Sequence, residues 1–141
     1  MNANAAHSLA PAPGERTRRV LLVDDEGTIR HALRRFFQRQ GWEVDEAADG
    51  AAALALLLDR APEHAYDVII SDLRMPGISG IEMHERLRGT RPDLLDRIIF
   101  STGDAVSLEA AEFVRRADCP VLQKPFELST LRELVHRLIA A

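Results

Sequence analysis

"DVIISDLRMPGISG", residues 67–80, sets an apolar run against a carboxylate. Val68, Ile69 and Ile70 read as a short strand, apolar throughout and therefore covered on both faces. Asp72 stands where that strand runs out, and Met75-Pro76-Gly77 breaks the chain just after it. A carboxylate flanked by such a strand needs partners, because burying an unpaired charge is costly.

The sequence on either side alternates in the same way. Upstream, "RVLLVD" (residues 19–24) is a β-branched apolar run, followed over 26–40 by Ile29, Leu33, Phe36 and Phe37 at helical spacing, with Gly41 as a stop. "WEVDEAA" alternates Trp42 and Val44 against Glu43 and Asp45 and reads as an edge strand; Asp49 can cap the helix "GAAALALLLDR". Downstream, Ser79 with Glu82 three residues on has the capping-box pattern for a helix reaching about Arg88. "RIIFST" (97–102) is a further apolar strand, Ser107 can cap a helix through about Ala117, "PVLQ" is a short fifth strand, and 128–140 forms an amphipathic final helix. Five strand–helix alternations predict an α/β fold: a doubly wound, five-stranded parallel sheet with helices on both faces.

Composition bounds the function. With 141 residues, 46% hydrophobic and 28% charged, the chain fits one globular domain with a sizeable core. A net charge of −4 gives no bulk attraction to nucleic acid or an anionic membrane. The single cysteine, Cys119, cannot form an internal disulfide, which fits a reducing, cytoplasmic setting. No apolar run approaches the ~20 residues needed to span a bilayer, so membrane insertion is not expected. The start lacks an apolar signal-peptide core, and its Ala, Pro, Asn and Gly content predicts a flexible tail over 1–17 ahead of one domain over 18–141. No helix-turn-helix, zinc module or basic stripe argues for direct nucleic-acid binding. Arg16, Arg18 and Arg19 read as a solvated terminus; Arg30, Arg34, Arg35 and Arg39 read as a solvated helix face or a docking face for an acidic partner.

In an open, doubly wound sheet the site lies beyond the carboxyl ends of the strands. The residues there are Asp24 and Asp25, Asp72, Ser101 and Thr102, and Lys124. Singly, each has an ordinary explanation: a helix cap, a turn residue, a surface lysine. Their convergence on one sheet edge is what carries weight. Carboxylates brought close repel unless a cation sits among them. Hard oxygen ligands suit Mg²⁺, which favours one or two carboxylates plus phosphate oxygens. Mg²⁺, an ammonium and a hydroxyl form a cradle for a phosphoryl group, and a carboxylate inside it can be the nucleophile. Asp72 is the central candidate.

"VLLVDDE", "DVIISDLRMPGISG", "IIFSTGD" and "VLQKPF" together resemble the signature blocks of the receiver domain of bacterial two-component response regulators, of the single-domain, stand-alone type. The resemblance runs over nearly the whole chain, from about Arg18. It implies a flavodoxin-like fold with strand order 2-1-3-4-5, and a phosphorelay function in which Asp72 accepts a phosphoryl group from a phosphohistidine on a histidine kinase or histidine phosphotransfer protein. It also implies that Asp25, Asp72 and the main-chain carbonyl of Arg74 bind Mg²⁺, that Asp24 holds a metal-bound water, and that Thr102 and Lys124 contact the phosphoryl oxygens. The Lys124–Pro125 bond is expected to be cis, and phosphorylation to change binding to a downstream protein target. Such a protein catalyses only its own phosphorylation and dephosphorylation.

The sequence departs from the family at Val121, where many receivers carry Tyr or Phe. Competing readings are weighed by their requirements. An Asp-nucleophile phosphatase of the haloacid dehalogenase type wants a second Asp two residues on, where this chain has Arg74. A flavodoxin-like electron carrier wants a neutral phosphate-binding loop, where this chain has "DDEGTIR". A non-phosphorylated pseudo-receiver acting as an interaction module would not need the intact cluster. Arg74 and Asp104, on neighbouring loops, either meet over the mouth of the site and lengthen the life of the phosphorylated state, or stand apart in solvent.

Overall fold

A computed structural model describes residues 8–59, 61, 65–103 and 107–140. Along the chain run β1 (Arg19–Val23), α1 (Gly27–Arg39), β2 (Glu43–Ala47), α2 (Gly50–Asp59), β3 (Val68–Asp72), α3 (Gly80–Thr90), β4 (Ile98–Thr102), α4 (Leu108–Ala117), β5 (Val121–Gln123) and α5 (Leu128–Ala140). The sheet is parallel throughout in the order β2-β1-β3-β4-β5. This is the expected five-stranded, flavodoxin-like arrangement.

The period-2 alternation of each strand feeds two cores. Leu21, Ile69 and Phe100 pack against Leu54 and Leu57 of α2, Met83 and Leu87 of α3, and Phe113 of α4. Val20, Leu22, Ile70 and Ile99 face the other way, onto Leu33, Phe36 and Phe37 of α1 and Leu131 and Val135 of α5. Every residue of β3 is buried, which explains its unbroken apolar run. The predicted caps form: the amides of Ala52, Glu82 and Ala110 donate to Asp49 Oδ1, Ser79 Oγ and Ser107 Oγ at 2.8, 3.2 and 3.1 Å. A short 3-10 helix, Pro92–Arg97, absent from the sequence reading, buries Leu94 beneath α3.

Part of the segment expected as a flexible tail makes contacts with the domain. Residues 1–7 lie outside the described residues; of residues 8–17, Leu9 and Arg16 reach the domain while most of the others are exposed. Leu9 is only 1% exposed, in the core of α1 and α5, and its carbonyl accepts the Trp42 indole N–H at 2.7 Å. Arg16 then makes a two-pronged bond to Asp67, with Nη1 3.0 Å from Oδ2. The Arg19 amide donates to the same carboxylate at 2.8 Å. Burial alone would raise the Asp67 carboxyl; the bonds from Arg16 and the Arg19 amide outweigh it and hold it below the usual carboxylate range. Arg18 pairs with Glu15 and Arg19 with Glu43, so the basic cluster is neutralised rather than freely solvated. Arg30 and Arg34 likewise pair with Glu46 of β2, with Arg34 still exposed.

Candidate functional site

Parallel strands bring their carboxyl ends to one edge, and the polar residues gather there. Asp24 follows β1, Asp72 ends β3, Thr102 ends β4 and Lys124 follows β5. Register fixes their neighbourhood: Asp72 lies beside Ser101, and Thr102 beside Gln123. The Lys124 amide donates to the Thr102 carbonyl at 2.7 Å, tying the lysine's backbone to the end of β4. The Lys124–Pro125 bond is cis, as expected.

The Lys124 side chain reaches back across the edge. Its Nζ lies 2.9 Å from Asp24 Oδ2, 3.0 Å from Asp72 Oδ2 and 3.4 Å from Glu26 Oε1. The other oxygens are held by main-chain donors: the Glu26 amide to Asp24 Oδ1 at 2.8 Å, and the Arg74 amide to Asp72 Oδ1 at 3.1 Å. The Arg30 guanidinium donates to the Asp24 carbonyl, bracing the loop after β1 from α1. Behind Asp72, α3 starts hard against the strand end. A Cβ added to Gly80 would lie 2.3 Å from the Asp72 carbonyl oxygen, so any side chain there would push the loop away.

The electrostatics follow from this packing. Burial pushes the Asp72 carboxyl above its ordinary range; Lys124 and the Arg74 amide pull it back down only in part, and Asp24 adds to the rise. Burial alone would lower the Lys124 ammonium, but its bonds to Asp24 and Asp72 outweigh it and raise the pKa, so the lysine stays charged. Asp72 is 7% exposed: buried enough to be held, with an edge still open to solvent.

The same edge offers a cation site. Carboxylate oxygens of Asp24, Glu26 and Asp72 all lie within 4.8 Å of one another. An all-oxygen, multiply anionic donor set of this size fits Mg²⁺ rather than a soft metal. Glu26 was not singled out from the sequence. The signal was present, since "DDE" extends the acidic pair into the residue preceding α1. Asp25, the predicted direct ligand, is exposed and stands outside that trio, while Arg74 contributes its amide to Asp72 and points an exposed side chain away from the core. Thr102 is half-buried at its strand end. Val121 is half-buried and packs on the core that holds Phe100 and Phe113, an aliphatic filling at the position where many receivers carry a ring. Asp104 lies outside the described residues, and with it the proposed pair to Arg74.

Comparison with known proteins places this edge in a family. The response regulator receiver domain matches residues 20–136. The chain is 35% identical over 121 residues to the response regulator MprA of Mycobacterium tuberculosis (strain H37Rv), a match covering 86% of this chain and 50% of that protein. It is equally 35% identical over 120 residues to the sensor kinase CckA of Brucella abortus, covering 85% of this chain and 12% of that one. The chain thus spans about half the length of the MprA relatives it matches. Among solved structures, a response regulator receiver protein from Pseudomonas putida superposes with a TM-score of 0.76 at 29% identity, over 87% of this chain and 98% of that one. The chemotaxis protein CheY4 of Vibrio cholerae does so with a TM-score of 0.72 at 32% identity, over 87% and 99%. The chain belongs to the response regulator receiver domain family, the class that carries signals in two-component systems.

Proposed function

We propose that this receiver is a phosphoacceptor: Asp72 takes a phosphoryl group from a phosphohistidine on a histidine kinase or histidine phosphotransfer protein, and the change alters binding to a downstream protein. The observation that carries the reading is the Lys124 ammonium lodged between Asp24 and Asp72, with Asp72 still open at one edge. A carboxylate oxygen of Asp72 attacks phosphorus, the P–N bond to histidine breaks as the O–P bond forms, and the imidazole leaves with a proton. Lys124, already 3.0 Å from Asp72, is placed to follow the negative charge onto the phosphoryl oxygens. The Thr102 hydroxyl, on the strand end next to that of Asp72, would donate to one of them. Asp24, Asp72 and either Asp25 or Glu26, with the Arg74 carbonyl, would hold Mg²⁺, which supplies positive charge against the phosphoryl oxygens when bound.

Hydrolysis by water would return the carboxylate, so the protein catalyses only its own phosphorylation and dephosphorylation. Direct contact with nucleic acid is no part of this reading, and among the described residues no helix is long and apolar enough to cross a membrane. The phosphohistidine donors of such receivers and the lone, half-buried cysteine support a cytoplasmic setting. A pure interaction module would leave the three-carboxylate, one-ammonium arrangement without a purpose. The test is binding of a phosphate-mimicking beryllium fluoride in the presence of Mg²⁺, followed by amide NMR. Wild type should show saturable shifts at the ends of β3 and β4 that vanish in Asp72→Asn. Equal shifts in both proteins would refute the assignment.

A further inference from the structure

Arg74 sits in the loop between β3 and α3, and that loop is held at both ends. At its start the Leu73 amide donates to the Ser101 carbonyl at 3.0 Å, and the Arg74 amide donates to Asp72 Oδ1 at 3.1 Å. At its finish the Gly80 amide donates to the Leu73 carbonyl at 3.1 Å, which closes the loop on itself. A Cβ on Gly80 would lie 3.1 Å from Leu73 Cα and closer still to the Asp72 carbonyl oxygen, so a displacement of residues 78–80 is passed directly to the end of β3.

A third hold comes from a different element. Gly50 opens α2 and is buried. A Cβ there would lie 2.8 Å from Ile78 Cγ2 and 2.9 Å from the Ile78 carbonyl carbon, closer still to the carbonyl oxygen. Non-bonded carbons rest at about 3.5–4.0 Å, so a side chain at position 50 would force the two backbones roughly 1 Å apart. The nearest obstacle is main chain, and no change of rotamer relieves it.

The loop is the side that yields. α2 is fastened to the core through Ala53, Leu54 and Leu57, each at most 6% exposed, and Asp49 caps its first turn. Facing it, Gly77 has φ +74° with open space around it, and Ile78 and Ser79 are only half-buried.

We propose that Gly50 is a positioning residue for the Asp72 site: by carrying no side chain it lets Ile78 close onto α2, which seats Gly80 against the Asp72 carbonyl and keeps the Arg74 main chain at Asp72. The consequence for metal rests on the phosphoacceptor reading above, in which the Arg74 carbonyl is a Mg²⁺ ligand; the consequence for the backbone does not. Gly50→Ala is compared with wild type by amide NMR, at a temperature where Trp42 fluorescence shows the proteins folded. Leu57→Ala, a core truncation later in the same helix, is the control for lost stability alone. Without metal, the Arg74 amide resonance should move in Gly50→Ala and its exchange with solvent should quicken, while Leu57→Ala keeps both as in wild type. Titration with Mg²⁺ should give a dissociation constant about tenfold higher in Gly50→Ala, as for groups that orient a metal's ligands, and unchanged in Leu57→Ala. Should Gly50→Ala fail to fold, wild type decides: Mg²⁺ should shift the Gly50 and Ile78 amides together with that of Arg74, at one dissociation constant, and leave the Leu57 amide fixed. An Arg74 amide unmoved in metal-free Gly50→Ala, an equal loss of Mg²⁺ affinity in Leu57→Ala, or a wild-type Gly50 amide unmoved while that of Arg74 follows the metal would each overturn the proposal. A wild type that binds no Mg²⁺, with the Arg74 amide still displaced in Gly50→Ala, would sink the metal reading and uphold the positioning of the loop.

Discussion

Leu9→Ala tests how far the segment ahead of β1 belongs to the domain. The side chain is 1% exposed and packs in the core formed by α1, α5 and Trp42. Truncating a buried leucine costs about 2–5 kcal/mol in a fixed core. Beyond the packing of Leu9 itself, the described hydrogen bonds that hold the segment are the Trp42 indole bond and the Arg16–Asp67 pair, so it can settle into the gap, and the expected cost is at the lower end, about 2 kcal/mol. Adding Trp42→Phe in the same protein should cost less than it does in wild type. Once the segment loosens, the indole N–H no longer depends on the Leu9 carbonyl. Trp42 is the sole tryptophan, so urea unfolding followed by its fluorescence, with circular dichroism as a second probe, reads both the global transition and the local packing. Mg²⁺ affinity should be unaffected, since the segment joins the sheet at its amino edge, next to Asp67, and the carboxylates sit at the other. A stability change below about 0.5 kcal/mol, the level of an ordinary surface substitution, would refute the reasoning.

Other expectations follow from single residues. Asp72 has its pKa raised by folding, so the native state binds its proton more tightly than the unfolded chain. It therefore costs stability once pH rises above the unfolded value of about 4 through the folded one. Asp72→Asn should accordingly be more stable than wild type at pH 7, the site's open edge screening part of the effect, and the gain should shrink as pH falls toward about 4. Denaturation midpoints measured across that range check it. Gly80→Ala places a Cβ against the Asp72 carbonyl and should cost about 2 kcal/mol or more, with slower phosphorylation as a second readout. Asp25→Ala and Glu26→Ala separate two ligand sets for Mg²⁺. The family resemblance expects the larger loss of affinity from Asp25, and the carboxylate trio in the fold expects it from Glu26. A Mg²⁺ titration read by NMR of both variants decides between them.

What could be read in the sequence was what repeats or what stands at a strand end. The apolar run of β3 announces a strand buried on both faces, and Asp72, Thr102 and Lys124 announce an edge once the strands are taken as parallel. Ser79 and Ser107 cap their helices because a cap is a local bond, three residues long. Non-local pairings leave no such trace. Leu9 is one apolar residue among Ala and Pro, and its partner Trp42 is 33 positions away. Arg16 meets Asp67 across 51 positions, so a basic terminus looked solvated until the fold brought its acid alongside. His84 sits in a helix of mixed polarity, and nothing local foretells that Phe100 and Phe113 close over it. Glu26 was legible as part of "DDE", but its contact with Lys124 spans 98 positions.

Phosphoryl transfer to Asp72 is the claim on which the functional account stands. The direct measurement is the rate and site of labelling when a phosphohistidine-bearing donor is mixed with the receiver and Mg²⁺. Wild type should acquire the label as an acyl phosphate mapped by peptide mass spectrometry to Asp72, Lys124→Ala should acquire it more slowly, and Asp72→Asn should acquire none. Label appearing on Asp72→Asn at the wild-type rate, or mapped to any other residue of the wild-type chain, would contradict the account.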